Sequence, residues 1–202
     1  MDIMALLGTA TGIALFSGLR LYTSILAIGL ALRLGWFPLP QSLSGLAVLA
    51  DTRVLSIAAV CFVIEFLADK IPLVDSAWDG IHTFIRPIGA AVLGYTVLGN
   101  YDPWIQVAII LACGGIGLTA HSAKAGTRVM INHSPEPISN IGASLLEDLF
   151  AAGGSLLALT HPLLILGVVV IFLLVFALLA RKIVHLMIEL FRRPRGGMTG
   201  PK

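Results

Sequence analysis

From Leu149 to Ala180 the chain runs without a single Asp, Glu, Lys or Arg. About 20 mainly apolar residues are enough to cross the hydrocarbon core of a bilayer as a helix, so this run fixes the class of protein before anything else is read. Composition agrees. Of the 202 residues, 57% are hydrophobic and 12% charged, and mean hydropathy is +0.96, whereas a soluble domain keeps about 25% charged residues. The chain reads as an all-α integral membrane protein. A cytosolic globule, a disordered chain and a disulfide-stapled secreted scaffold are excluded. Cys61 and Cys113 each lie inside an apolar run, where a thiol acts as a small packing residue.

Six segments qualify as transmembrane helices. They cover about Ile3 to Leu32, interrupted by Arg20; Val54 to Ala68, preceded by a short interfacial piece at Leu43–Ala50; Pro87 to Leu98; Trp104 to Asn132; Ser139 to Leu159; and Pro162 to Ala180. Pro162 separates the last two, because the residue before a proline is pushed out of helical geometry. Together they make one transmembrane domain over residues 1–190, followed by a basic tail at 191–202. Met1-Asp2-Ile3-Met4 lacks the positive stretch of a signal peptide, so the first helix reads as retained. Six of the thirteen Lys and Arg (Arg181, Lys182, Arg192, Arg193, Arg195, Lys202) follow the last span, and basic residues stay cytoplasmic. An even number of spans then puts both termini inside, in a plasma or inner membrane. Arg33 and Arg53 fall on the outer side of that scheme. The tail reads as a topology signal that meets lipid headgroups, with no role towards nucleic acid.

The acidic residues are concentrated where a membrane chain should avoid them. Eight of eleven lie between Glu65 and Asp148, and an ionisable group at the centre of a spanning helix costs about 2.5–3.5 kcal/mol on insertion scales. Helical spacing gathers them on faces. His121, Lys124, Arg128 and Asn132 form one stripe, while Asn140, Ser144, Glu147, Asp148 and Ser155 form another. Thr9, Ser17, Arg20, Thr23 and Ser24 make an arc, and Glu65 and Asp69 stand at i and i+4 before Lys70. Four cations, Arg20, Lys70, Lys124 and Arg128, balance four anions, Glu65, Asp69, Glu147 and Asp148. These eight are the expected ion- or solute-binding residues: the carboxylates would take a cation or proton, the Arg and Lys would neutralise them or hold an anionic group, and the balanced signs leave the charge of the solute open.

Two stretches depart from continuous helix. Pro72 and Pro87 bracket a short segment in which Asp75, Asp79 and His82 stand at i, i+4 and i+7, a spacing able to hold a divalent cation or to form an ordinary solvated face anchored by Trp78. His133-Ser-Pro135-Glu136-Pro137 cannot continue a helix and reads either as a cytoplasmic turn or as broken backbone at membrane depth. A repeat is also suggested. Ser17-Gly-Leu-Arg20 parallels Ala125-Gly-Thr-Arg128, each followed by an acidic helix and then a proline-opened one. Halves at 1–100 and 104–182 would form a 3+3 inverted repeat with broken or re-entrant segments.

Glu65-Phe-Leu-Ala-Asp-Lys-Ile-Pro72 and Ser134-Pro-Glu-Pro-Ile-Ser-Asn140 carry a resemblance. With Ser17–Tyr22, Arg86-Pro-Ile-Gly-Ala90 and Glu147-Asp148, the chain up to about Gly154 resembles a bacterial membrane-protein family catalogued as domain of unknown function 4126. The resemblance implies a multi-span membrane fold and nothing about chemistry.

Three function classes remain. The first is a transporter or channel for a small ion or polar solute along the facing stripes. The second is a scaffold whose charges pair internally. The third is a membrane-embedded enzyme acting on a lipid-linked substrate. Asp75-x-x-x-Asp79-Gly80 with Arg86 partly resembles the metal motif of alcohol phosphotransferases, but the spacing differs and a second aspartate pair is missing. No His-Glu-x-x-His, Gly-x-Ser-x-Gly or P-loop occurs, and no cofactor is indicated. The transporter is the leading reading. Membrane lipid is the expected surrounding, and Gly114-Gly115, Gly117 and Gly153-Gly154 allow close helix packing within one chain or between copies.

Overall fold

The computed structural model describes residues 2–98, 101–132 and 137–192. Seven α-helices follow in order: α1 (Ile3–Leu19), α2 (Leu21–Arg33), α3 (Thr52–Ala68), α4 (Pro72–Leu98), α5 (Pro103–Asn132), α6 (Pro137–Thr160) and α7 (Pro162–Arg192), with a 3₁₀ segment at Gln41–Ala50 before α3. No strand occurs among the described residues. The double-proline connection at 133–136 and the basic tail beyond Arg192 lie outside them.

Four helices, α4 to α7, are long and apolar enough to span a bilayer, or five spans if the 3₁₀ segment and α3, bent by 62° at their junction, count as one. The expectation of six is corrected at three places. Ile3–Leu32 is not one span but two short helices, because the backbone leaves helical geometry at Arg20 (φ −146°, ψ 90°). Val54–Ala68 is joined to its apolar forerunner through that bend. The third span does not start at Pro87. It starts at Pro72, and Pro87 lies inside α4, as spanning helices tolerate when neighbours re-satisfy the backbone.

Packing contacts define the path of the first two helices. Along α1, Gly8 meets the Pro162 carbonyl, Gly12 meets Ala158 and Ile165, and Gly154 lies against the Phe16 ring. Thus α1 descends from the α6–α7 turn into the bundle. Helix α2 does not continue downward. Gly29 packs on Leu49 and Leu55, and the Arg33 guanidinium donates to Thr52 Oγ1 at 2.7 Å, at the start of α3. The 3₁₀ segment in turn touches Thr96, near the upper end of α4, through Gly45. Helices α1 and α2 therefore fold back as a hairpin within the bundle, with Arg20 at its tip. Helix α1 starts beside Pro162, and α7 runs on from there for 31 residues, about 45 Å at 1.5 Å per residue.

The hairpin sits at the centre. Helix α1 is apolar on all sides and buries residues around its whole circumference, among them Leu6, Ala10, Ile13, Ala14 and Phe16, as a helix enclosed by others must. The outside is apolar too. Ile57, Val60 and Val63 on α3, Leu149 and Phe150 on α6, and Ile171, Leu174 and Leu178 on α7 are exposed. A soluble monomer rarely presents contiguous apolar surface on this scale; lipid is the solvent that suits it.

Small residues fix the spacing at the centre. A Cβ on Gly18 would lie 2.5 Å from the Gly117 carbonyl oxygen, whereas one on Gly115 meets nothing within 4 Å. Gly18→Ala should therefore lower stability by about 1–3 kcal/mol, the usual cost of overpacking, while Gly115→Ala leaves it unchanged or raised. Thermal unfolding of the two variants in the same detergent checks this pair.

Candidate functional site

Beneath the hairpin tip the buried polar side chains converge. Arg20 is 1% exposed and carries most of the pairing. Its Nη1 contacts Asp69 and approaches Glu65 at 3.4 Å, Nη2 lies 3.0 Å from Glu147, and Nε lies 3.6 Å from Asp148. Nη2 also donates to Ser144 Oγ at 2.8 Å, and that hydroxyl donates to Asp69 at 2.7 Å. Thr23, in the first turn of α2, donates to Asp148 at 2.8 Å. A helix N-terminus beside a carboxylate is favourable in any case, so breaking the helix at Arg20 supplies both a free-standing guanidinium and an electropositive helix end.

A second layer comes from α4 and α5. Arg86 bonds Glu65 at 2.6 Å through Nη2 and Asp79 at 3.0 Å through Nη1. The same Nη1 donates to His121 Nδ1 at 2.6 Å, and His121 Nε2 faces the Asp79 carbonyl at 3.1 Å and Thr83 Oγ1 at 3.0 Å. Arg86 can only donate, so His121 accepts at Nδ1 and carries its hydrogen on Nε2, the neutral tautomer. Arg128 grips Glu147 with both arms, at 3.0 and 2.9 Å, the fork geometry that strengthens such pairs. Lys124 stands between the layers. Its Nζ is 3.6 Å from each of Glu65, Asp79 and Glu147, fully buried, and makes no hydrogen bond among the described residues.

Seven of the eight residues expected from sequence thus meet in one cluster. Lys70 does not: its ammonium lies 3.6 Å above the Phe66 ring, at the turn between α3 and α4. Arg86 takes the place of Lys70, and Asp79 joins the acidic side. Sequence reasoning missed Arg86 by treating Pro87 as the opening of a helix. Read as one helix through Pro87, Asp75, Asp79, His82 and Arg86 continue a single face, and that spacing was the available signal. The metal reading of Asp75, Asp79 and His82 finds no support in the geometry. Among the described residues no three His, Cys, Asp or Glu come together as a metal site. His82 turns away, to the Trp78 carbonyl at 2.9 Å and the Tyr22 hydroxyl at 3.2 Å.

The cluster has one approach of note. A cavity of about 190 Å³ between α4 and α5 is lined by Asp75, Ser76, Asp79, Gly80, Thr83, Ala125 and Arg128. Ser76 and Gly80 are exposed, and Asp75, Asp79 and Arg128 are buried, so the cavity leads from the surface to the cluster. It opens in the first three turns of α4, at the end of the bundle away from the α6–α7 turn. On the other side of the cluster the core is apolar: Leu6, Ala10 and Ile13 of α1 share it with Leu93, Val97, Leu98 and Cys113.

An apolar exterior, four helices long and apolar enough to span a bilayer and a buried charged centre fit a helical membrane protein with a polar cluster in its interior. Residues 7–182 match the family model described as domain of unknown function (DUF4126), and the chain belongs to that family. Neither the curated proteins nor the solved structures gave a match.

Pairing energetics separate the observed site from the expected one. Removing one partner of a buried ion pair costs about 3–5 kcal/mol, so Arg86→Gln, which leaves Glu65 and Asp79 short of a cation, should destabilise the fold by that order. Lys70→Gln loses only a ring contact and should cost about 1 kcal/mol or less. Unfolding midpoints of both variants in detergent test the exchange of roles.

Proposed function

We propose that this protein moves a small ion or polar solute across the membrane through the Arg20-centred site. The observation that carries the reading is the access to that site: a cavity reaches the buried charges from one end of the bundle, and packed apolar residues close the other. Charges inside a bilayer protein are costly and by default functional, and broken helices that meet at a midplane site are how many transporters hold their substrates. The basic pair Arg181 and Lys182 near the far end of α7 supports an orientation with that end, and with it the cavity mouth, facing the cytoplasm; α1 would then begin on the opposite side.

A scaffold reading has its own support, since each of Arg20, Arg86, Lys124 and Arg128 faces at least two carboxylates. The two readings part on a charge swap. Arg128→Glu combined with Glu147→Arg restores the pair and should recover most of the stability that either single change removes. Transport requires the original field around the solute, so flux is lost in the swap. A scaffold keeps its function.

The first experiment is a thermal-shift screen of purified protein against monovalent and divalent cations, phosphate and other anions, followed by flux of any hit into liposomes. A ligand at a hundredfold excess over Kd stabilises the folded state by about 2.7 kcal/mol. A saturable shift that disappears in Glu147→Gln, with flux of the same solute, is the expected outcome. Full flux in the swapped pair would overturn the transport reading.

A further inference from the structure

Resting on the transport reading, we propose that Asp79 is the proton-exchange residue of the site, loaded from the cavity between α4 and α5, and that Lys124 relays its state to the hairpin tip. Asp79 is at once a wall of the cavity and a member of the ion-pair cluster. Within that cluster four cations, Arg20, Arg86, Lys124 and Arg128, face five carboxylates, Glu65, Asp69, Asp79, Glu147 and Asp148. With all of them ionised the carboxylates outnumber the cations among these described residues, and Asp75, buried beside Arg128, adds to the negative side; low-dielectric surroundings penalise net charge heavily. A proton taken up on a carboxylate lowers that charge. A metal ion is a poorer fit, because the Lys124 ammonium already occupies the space between the carboxylates of Glu65, Asp79 and Glu147.

The groups around Asp79 define what protonation changes. It faces Arg86 from its own helix, Lys124 and His121 from α5, and shares both cations with Glu65 of α3. Asp75 and Arg128 line the same cavity. A proton arriving from the cavity forms an O–H bond on the Asp79 carboxylate, and no other bond breaks within the protein. Lys124 then has two charged partners in place of three, Glu65 and Glu147, and is drawn towards them. Glu147 Oε2 is already shared with Arg20 at 3.0 Å and Arg128 at 2.9 Å. A closer ammonium competes with Arg20 for that oxygen, so the charge on Asp79 bears directly on how firmly the hairpin tip is held. Asp79 exchanges the proton, and Lys124 is a positioning residue.

Infrared difference spectroscopy of the full-length protein in detergent, titrated with acid and base, reads protonated carboxyl groups directly. The expected result is a carboxyl band that titrates in the parent protein, is lost in Asp79→Asn, is kept at a shifted midpoint in Asp79→Glu, and moves its midpoint in Lys124→Met. Gly80→Leu places its side chain at the cavity wall, where a Cβ meets no atom within 4 Å, and should slow deuterium exchange of that band several-fold. If Asp79→Asn does not fold, the Asp79→Glu shift carries the assignment. A band that survives Asp79→Asn, or an Asp79→Glu variant with an unmoved midpoint, overturns the proposal. Liposome flux separates the two levels: solute movement without an Asp79 titration removes the proton site and leaves transport standing, whereas an Asp79 titration without flux of proton or solute does the reverse.

Discussion

The fold turns on one buried guanidinium. Arg20 sits in the middle of a stretch apolar enough to cross the bilayer in one pass, yet the chain bends back on itself there. A lone Arg at the centre of a spanning helix is costly. Here four carboxylates from α3 and α6 surround it. Satisfying that charge requires the chain to bring Arg20 to the acidic C-terminal end of α3 and the acidic middle of α6, and the hairpin is the geometry that does so while both of its arms remain helical. Its backbone cost is confined to one residue in extended conformation.

The remaining architecture accommodates this insertion. A central helix contacted from every side leaves room for little but small residues at the crossings, and Gly8, Gly12, Gly18 and Gly117 stand where a Cβ would strike a neighbour. Helix α4 must then run uninterrupted past Pro87 to present Arg86 and Asp79 to the same cluster as Glu65. Close packing and charge satisfaction thus act together. The glycines let the helices approach, and the approach brings cations within 4 Å of several carboxylates at once. Such a cluster is a poor way to gain stability alone, since buried pairs often do no better than apolar replacements; that, with the cavity between α4 and α5 that reaches it, is the ground for the proposed function.

Most of the site was legible from spacing. Glu65 with Asp69 and Lys124 with Arg128 each share a helical face, Glu147 and Asp148 follow Ser144 at three and four residues, and all of them do point into the cluster. Lys70 and Arg86 were not separable in this way. Both adjoin a proline that sequence rules treat as a boundary, and only packing shows that α3 ends before Lys70 while α4 runs through Pro87. His82 likewise shares a face with Asp79 in sequence, but its ring is held between Trp78 and Tyr22, an aromatic contact between distant segments that no local pattern encodes.

By itself, the sequence determined the all-helical membrane class, the apolar helices from Pro103 onward and the identity of seven charged residues in the core, because hydrophobic length and helical period are local properties. Only the tertiary structure decided that the first apolar stretch is two short helices broken at Arg20, and that Arg86 rather than Lys70 completes the cluster. Each of these depends on which charges meet across helices far apart in the chain. That is a property of the packed bundle: a guanidinium finds its carboxylates in space, and the backbone between them bends to allow it.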